Sequence, residues 1–236
     1  MSLLDSVRVL GAMARITAPT LLEVARGSVE RRVIDDRARW FGRRVVELLD
    51  IRLTAAGAEQ VPPRAVVYMS NHQSHLDIPV LYATLPSATI RMLAKAELFR
   101  IPLWGRGLRA AEFVEVDRGN HTRAVQSIDQ AARLVRDGVS IWVAPEGTRS
   151  RDGRIGRLKK GGFHLALATG TPIVPVAIRG TLQILPRGGK VMRLHQPVSV
   201  QIGHPIEVGG RDVADLMAQV GEFLVKNVEN ATGNPG

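Results

Sequence analysis

From Ala65 onward the chain alternates short apolar bursts with stretches of helical periodicity. The bursts Ala65–Met69, Ile90–Ala94, Phe113–Val116, Ser140–Ala144, Ile173–Ile178 and Val198–Ile202 are too short for helices. They are also apolar almost throughout, which predicts strands buried on both faces. The clearest helix between them is His121–Arg136, where Ala124, Ile128, Ala131, Ala132 and Val135 share one side and Gly138 closes the turn. Val213, Leu216, Met217, Val220, Phe223 and Leu224 mark a C-terminal helix. Alternation of this kind predicts one α/β domain, a central mixed, largely parallel sheet flanked by helices.

Ahead of that domain, residues 2–48 read as a pair of helices. Leu3, Val7, Leu10 and Ala14 fall at helical spacing, and Pro19 marks a new start. Leu22, Ala25, Val29 and Val33 continue a stripe that passes to Trp40, Phe41, Val45 and Leu48. Arg26, Arg31, Arg32, Arg37, Arg39, Arg43 and Arg44 fill the other positions. Two readings stand side by side. A basic helix with an apolar stripe can lie among anionic headgroups, and the same stripe can pack on the protein's own core. The organisation expected is an N-terminal helical segment over 1–50, a catalytic domain over 51–229 and a frayed tail over 230–236.

Composition narrows the chemistry. Among 236 residues there is no Cys, which excludes disulfides, thiolate metal sites and a Cys nucleophile. A formal charge of +10 calls for phosphate-bearing partners. Three Trp, two Tyr and five Phe are few for stacking on bases, and no nucleic-acid motif is present, so nucleic acid is not the expected partner. No leader-like run opens the sequence and no stretch is long and apolar enough to span a bilayer, so any membrane contact is expected to be peripheral or monotopic.

Directly after the first predicted strand stands Asn71-His72-Gln73-Ser74-His75-Leu76-Asp77. Strand C-termini are where α/β sheets meet their ligands. Four residues between His72 and Asp77, across a loop-to-helix junction, let the carboxylate take one ring nitrogen and leave the other as a proton acceptor. Alternatively, Asp77 simply caps a helix. Two His and one Asp also suggest a metal, but a catalytic metal usually needs three protein ligands and no second cluster completes a set. His75 is read as a neighbour without a role. There is no Gly-x-Ser-x-Gly elbow, so a base without a protein nucleophile implies that the substrate supplies one. An alcohol holds its proton about as tightly as water, with pKa roughly 15.7, and needs that base. A thioester's thiol, with pKa about 8.5, leaves readily.

After the fourth burst comes Pro145-Glu146-Gly147-Thr148-Arg149-Ser150. Gly147 permits close backbone approach, Thr148 donates a hydroxyl, and Arg149 suits a phosphate. Glu146 is left between accepting from a substrate hydroxyl and holding an arginine. Lys95 and Arg118 follow two further strands, so three cations at strand ends are expected to converge on one dianion. Each alone is an ordinary surface charge.

In order, His72-x4-Asp77, Lys95-x-Glu97-Leu98 to Val116-Asp117-Arg118, Pro145–Arg149 and Val174-Pro175-Val176-Ala177-Ile178 resemble the motifs of the glycerolipid acyltransferase family, nearest its 1-acylglycerol-3-phosphate acyltransferases. The resemblance covers roughly residues 64–206. It implies His72 as general base with Asp77 orienting it, Arg149 on the acceptor phosphate, and Lys95 and Arg118 assisting. It implies acyl-CoA or acyl-carrier protein as co-substrate with no cofactor and no metal, a lysophospholipid acceptor, and an anionic membrane surface on the cytoplasmic face. One departure is Ala144, where an aromatic often precedes the third motif, a position that bears on the acyl-chain lining. Other acceptors are glycerol-3-phosphate, a lysophospholipid or an acylated amino acid. A different class is a basic membrane-binding protein without chemistry. Leu98, Phe99, Ile101, Leu103, Trp104 and Leu108, interleaved with Arg100, Arg106 and Arg109, read either as a core helix with a basic edge or as an apolar-basic rim for lipid entry.

Overall fold

The computed structural model describes residues 30–102, 104–117, 121–189 and 191–230, with isolated helical positions before residue 30. Arg118, Leu103, Arg26, Leu3, Leu10, Ala25, Val29 and the tail 231–236 lie outside the described residues. The elements follow as α1 (Arg31–Leu48), β1 (Arg52–Ala56), β2 (Val67–Ser70), α2 (Asp77–Thr84), β3 (Ile90–Lys95), α3 (Ala96–Phe99), α4 (Trp104–Ala110) and β4 (Val114–Val116). Then come α5 (His121–Arg136), β5 (Ser140–Val143), α6 (Gly161–Thr169), β6 (Ile173–Arg179), α7 (Thr181–Ile184), β7 (Pro197–Ile202) and α8 (Val213–Val228).

Among the described residues the sheet has seven strands in the order β1-β7-β6-β2-β5-β3-β4. The run from β6 to β4 is parallel, β7 is antiparallel to β6, and β1 is parallel to β7. This is the mixed, largely parallel sheet expected, and the six anticipated strands are all present. β1 was not anticipated. It is an edge strand whose residues are mostly exposed, so it needs no apolar burst.

β2, β3, β4, β5 and β6 hold two cores apart. Val66, Tyr68, Val174, Val176 and Ile178 join Val45 of α1, Leu49 just after it, and Val80 and Leu81 of α2 on one face. Val67, Met69, Ile141 and Val143 join Ala131 and Val135 of α5, Phe163 of α6 and Leu216, Val220 and Leu224 of α8 on the other. Successive residues of β2 alternate between the cores, as the period of two requires. Being covered on both faces is what makes these strands read as continuous apolar runs.

Ala18 and Pro19 are both helical and a helix begins at Arg31, while most residues of the segment expected to start at Pro19 lie outside the described ones. Of the expected stripe, Phe41 and Val45 of α1 pack on the protein's own core, joined there by Leu49 just past the helix end. Its arginines are largely engaged with protein as well. Arg31 forms a two-bond pair with Glu112, at 2.8 and 2.7 Å, Arg39 donates to the carbonyls of Ser87 and Ala88, and Arg44 pairs with Glu47. Beneath them the fully buried Arg91 pairs with Asp35 of α1 and reaches Glu112 at 3.3 Å. A buried charge needs such partners, and here they weld α1 to the sheet.

Candidate functional site

Because β2, β3, β4, β5 and β6 run the same way, the segments after β2 and β5 leave the sheet at one edge, side by side. His72 follows β2 and the Pro145–Ser150 turn follows β5. Asn71 prolongs the ladder: its side chain donates to the Ile178 carbonyl and accepts from the Ile178 amide, both at 2.8 Å. The chain is thus pinned one residue before His72.

The His72 Nδ1 and Asp77 Oδ2 atoms are 2.7 Å apart. That same oxygen accepts from the amides of Gln73 and Ser74, at 2.7 and 2.9 Å. A carboxylate can only accept, so Nδ1 carries the hydrogen and Nε2 is the free base. Asp77 is the first residue of α2, yet its oxygens serve the loop before the helix and not the helix amides. Oδ1 accepts the Thr181 hydroxyl at 2.5 Å. Asp77 is completely buried, whereas the His72 side chain keeps 17% exposure. Trp142 of β5 meets the imidazole edge-on, 5.8 Å between centroids, and its indole N–H is held by Ser70. A triad of His72, Asp77 and Thr181 is therefore fixed on every side but one.

Glu146 does something different from either expectation. One oxygen accepts from the backbone amide of His72 and the other from that of Gly156, each at 2.9 Å. Burial raises its pKa above the ordinary carboxyl value, and the two amide bonds oppose that. The Ser150 amide donates to the His72 carbonyl at 2.7 Å. The turn after β5 so clasps His72 by both its backbone groups. Gly147, at φ +70°, lies under Lys159, whose side-chain carbons would stand 3.0 Å from any Cβ there. Thr148 is exposed.

Arg149 lies on the wall of a cavity of about 910 Å³ that Glu146 and Thr148 also line. Arg187 joins it, donating to the Arg149 carbonyl at 3.3 Å. The Arg149 pKa is lowered, by burial first and then by the Arg187 charge, with Asp77 opposing. Five further cations, Arg151, Arg154, Arg157, Lys159 and Lys160, share the wall. Lys95 stands exposed at the end of β3, on the same sheet edge but outside that wall. Sequence reasoning missed Thr181, Trp142 and Arg187, and named Ser150 without giving it a role. It also passed over the run from Arg151 to Lys160, whose density of cations is plain in the sequence. His75 has its pKa lowered by burial and then by Arg149 and His72. Among the described residues no three His, Asp or Glu side chains gather as metal ligands would.

The family profile described as Acyltransferase matches residues 52–179. A 1-acyl-sn-glycerol-3-phosphate acyltransferase of Haemophilus influenzae is 31% identical over 211 residues, covering 84% of each chain. A chloroplastic enzyme of the same name from Brassica napus is 38% identical over 152 residues, 64% of this chain and 44% of its own. The chain spans about half the length of the chloroplastic relatives it matches. The crystal structure of the 1-acyl-sn-glycerophosphate acyltransferase PlsC from Thermotoga maritima superposes with a TM-score of 0.81 at 28% identity, over 97% of this chain and 95% of that one.

Proposed function

The chain belongs to the acyltransferase family, and from that premise we propose that it transfers a fatty-acyl group from acyl-CoA or acyl-carrier protein to the free hydroxyl of 1-acylglycerol-3-phosphate, giving phosphatidic acid. The observation that carries this reading is the imidazole held by a buried carboxylate, beside Arg149 and Arg187. His72 Nε2 takes the acceptor's hydroxyl proton as the oxygen attacks the thioester carbonyl. The tetrahedral intermediate collapses, the C–S bond breaks, and the proton passes from His72 to the departing thiolate. Asp77 stabilises the imidazolium between those steps. Arg149 holds the acceptor phosphate, with Arg187 behind it. In this scheme the thioester is a co-substrate and no resident cofactor is required.

The same reading sets the protein on the cytoplasmic face of a membrane, peripheral or monotopic. Support comes from the +10 charge and from exposed Leu98 and Ile101 beside exposed Arg100 and Arg106. Each such arginine contributes roughly 1 kcal/mol near anionic lipid. No helix among the described residues is long and apolar enough to cross a membrane.

The test supplies acyl-CoA with 1-acylglycerol-3-phosphate, glycerol-3-phosphate or a lysophospholipid and identifies the lipid formed by mass spectrometry. Phosphatidic acid is expected from the first. His72→Ala is expected to cut turnover ~10²–10⁴-fold with an unchanged circular-dichroism spectrum. Undiminished thiol release by His72→Ala, or product from glycerol-3-phosphate alone, would overturn the reading.

A further inference from the structure

The cavity beyond Arg149 carries more positive charge than one acceptor phosphate can use. Seven cationic side chains line it against two carboxylates, Glu146 and Asp152. Both Glu146 oxygens are taken by backbone amides, and Asp152 accepts from the Ser150 hydroxyl and the Arg154 amide. Among the described residues none of the seven cations stands in an ion pair. The Arg187 guanidinium donates to the Arg149 main-chain carbonyl at 3.3 Å, which brings two of these cations to one stretch of the wall.

We propose that the part of this cavity formed by Arg151, Arg154, Arg157 and Lys160 binds the phosphorylated nucleotide end of the donor, the diphosphate and 3′-phosphate of a coenzyme A thioester. The assignment rests on the acyl-transfer reading above and names which donor that site takes. Its first support is position. In the acceptor, hydroxyl and phosphate sit on neighbouring carbons, so the phosphate must stand beside His72. Arg149 is there, because the next residue's amide is bound to the His72 carbonyl. The phosphates of a coenzyme A thioester lie a whole pantetheine arm away from the reacting carbon, and so do not compete for that place. Arg151, Arg154, Arg157 and Lys160 follow Arg149 along the loop, and the acyl-transfer scheme gives them no other use.

Shape is the second support. The cavity volume falls in the range of about 300–1,000 Å³ typical of small-molecule sites. Ile155, Leu158 and Met217 give it apolar floor for a base, between guanidinium groups suited to phosphates. Rigidity is the third. The loop is tied by Ile155 N to Glu229, Gly156 N to Glu146 and Gln73 to the Gly153 carbonyl, at 2.7, 2.9 and 3.3 Å. Glu146 thus joins the donor's cradle to the backbone of the base.

Isothermal titration of the full chain with coenzyme A and with dephospho-coenzyme A tests binding. Steady-state rates with acyl-CoA and acyl-pantetheine test use. The exposed pair Arg154→Gln/Arg157→Gln is expected to weaken coenzyme A binding by at least ~10-fold, as loss of charge-assisted bonds to phosphate implies. Dephospho-coenzyme A is expected to bind the natural protein more weakly than coenzyme A. The preference in kcat/KM for acyl-CoA over acyl-pantetheine should fall by a similar factor in the variant. Unaltered coenzyme A binding by the variant overturns the proposal. So does an equal loss with both donors, a rise confined to acceptor KM, activity with acyl-carrier protein alone, or a loss confined to anionic vesicles. Should the natural protein bind coenzyme A and the variant not, yet no acceptor be acylated, the cavity assignment stands and the acyl-transfer reading falls.

Discussion

Thr181 reaches the reaction only through Asp77, and that separation makes it a sharp probe. Its hydroxyl is the donor to Asp77 Oδ1, at 2.5 Å and fully buried. Thr181→Val keeps the volume and removes the donor, leaving a buried carboxylate oxygen without its partner. Hydrogen bonds to charged groups contribute about 1.5–3 kcal/mol, which is roughly 10- to 150-fold if the whole loss falls on the transition state. Thr181→Ser keeps the donor and loses a methyl group, costing about 0.5–1.5 kcal/mol of stability by analogy with other buried methyl deletions. For a chain of this length each kcal/mol lowers Tm by about 2–4 °C. Val should lose kcat, followed by thiol release at saturating acyl-CoA and acceptor, and Tm together, whereas Ser should lose only the smaller Tm increment and keep most of the rate. If Ser and Val lose kcat alike, the hydroxyl does not position Asp77, and the triad reduces to a pair.

Three other perturbations test how the site and its scaffold are held. Glu146→Gln leaves one of two buried amides facing an NH₂, so kcat/KM and Tm should drop together, by about 1–3 kcal/mol in stability terms; a fall in acceptor KM alone would contradict the clasp. Glu112 has its pKa lowered, first by the Arg31 hydrogen bond, with Arg91 adding to it, so its ionised form is the one the fold favours. That contribution is present above the ordinary value of 4.5 and is lost as pH falls through the lower folded value. The Tm gap between the natural protein and Arg31→Ala should accordingly shrink on acidification, as read by scanning calorimetry at stepped pH; a gap that widens would refute it. Gly42→Ala puts a Cβ 2.6 Å from the Pro79 carbonyl, where α1 crosses α2. Overpacking of this kind costs about 1–3 kcal/mol, so Tm should fall by several degrees at roughly 2–4 °C per kcal/mol.

The strands buried on both faces are legible in the chain alone, since such strands must be written as apolar runs. The chain also sets which residue types stand after β2 and β5, and so the order of the His72, Asp77 and Arg149 motifs. It could not show β1, because an exposed edge strand carries no apolar signature. It left Glu146 between two roles, and neither was the one found, because a backbone amide has no letter in the sequence. Thr181 lies 104 residues from Asp77, and they meet only where the turn after β6 folds over the end of β2. At Gly180, φ is +97°, and a Cβ would stand 2.1 Å from the Pro197 carbonyl, so that turn closes only without a side chain. The arginines of α1 show the same division. Composition made them basic, but whether they face lipid or protein was decided by Glu112, Asp35 and the Ser87 and Ala88 carbonyls, brought near by packing. Residue types and local periods are fixed by the chain, whereas hydrogen-bond partners far apart in sequence exist only once the layers have closed.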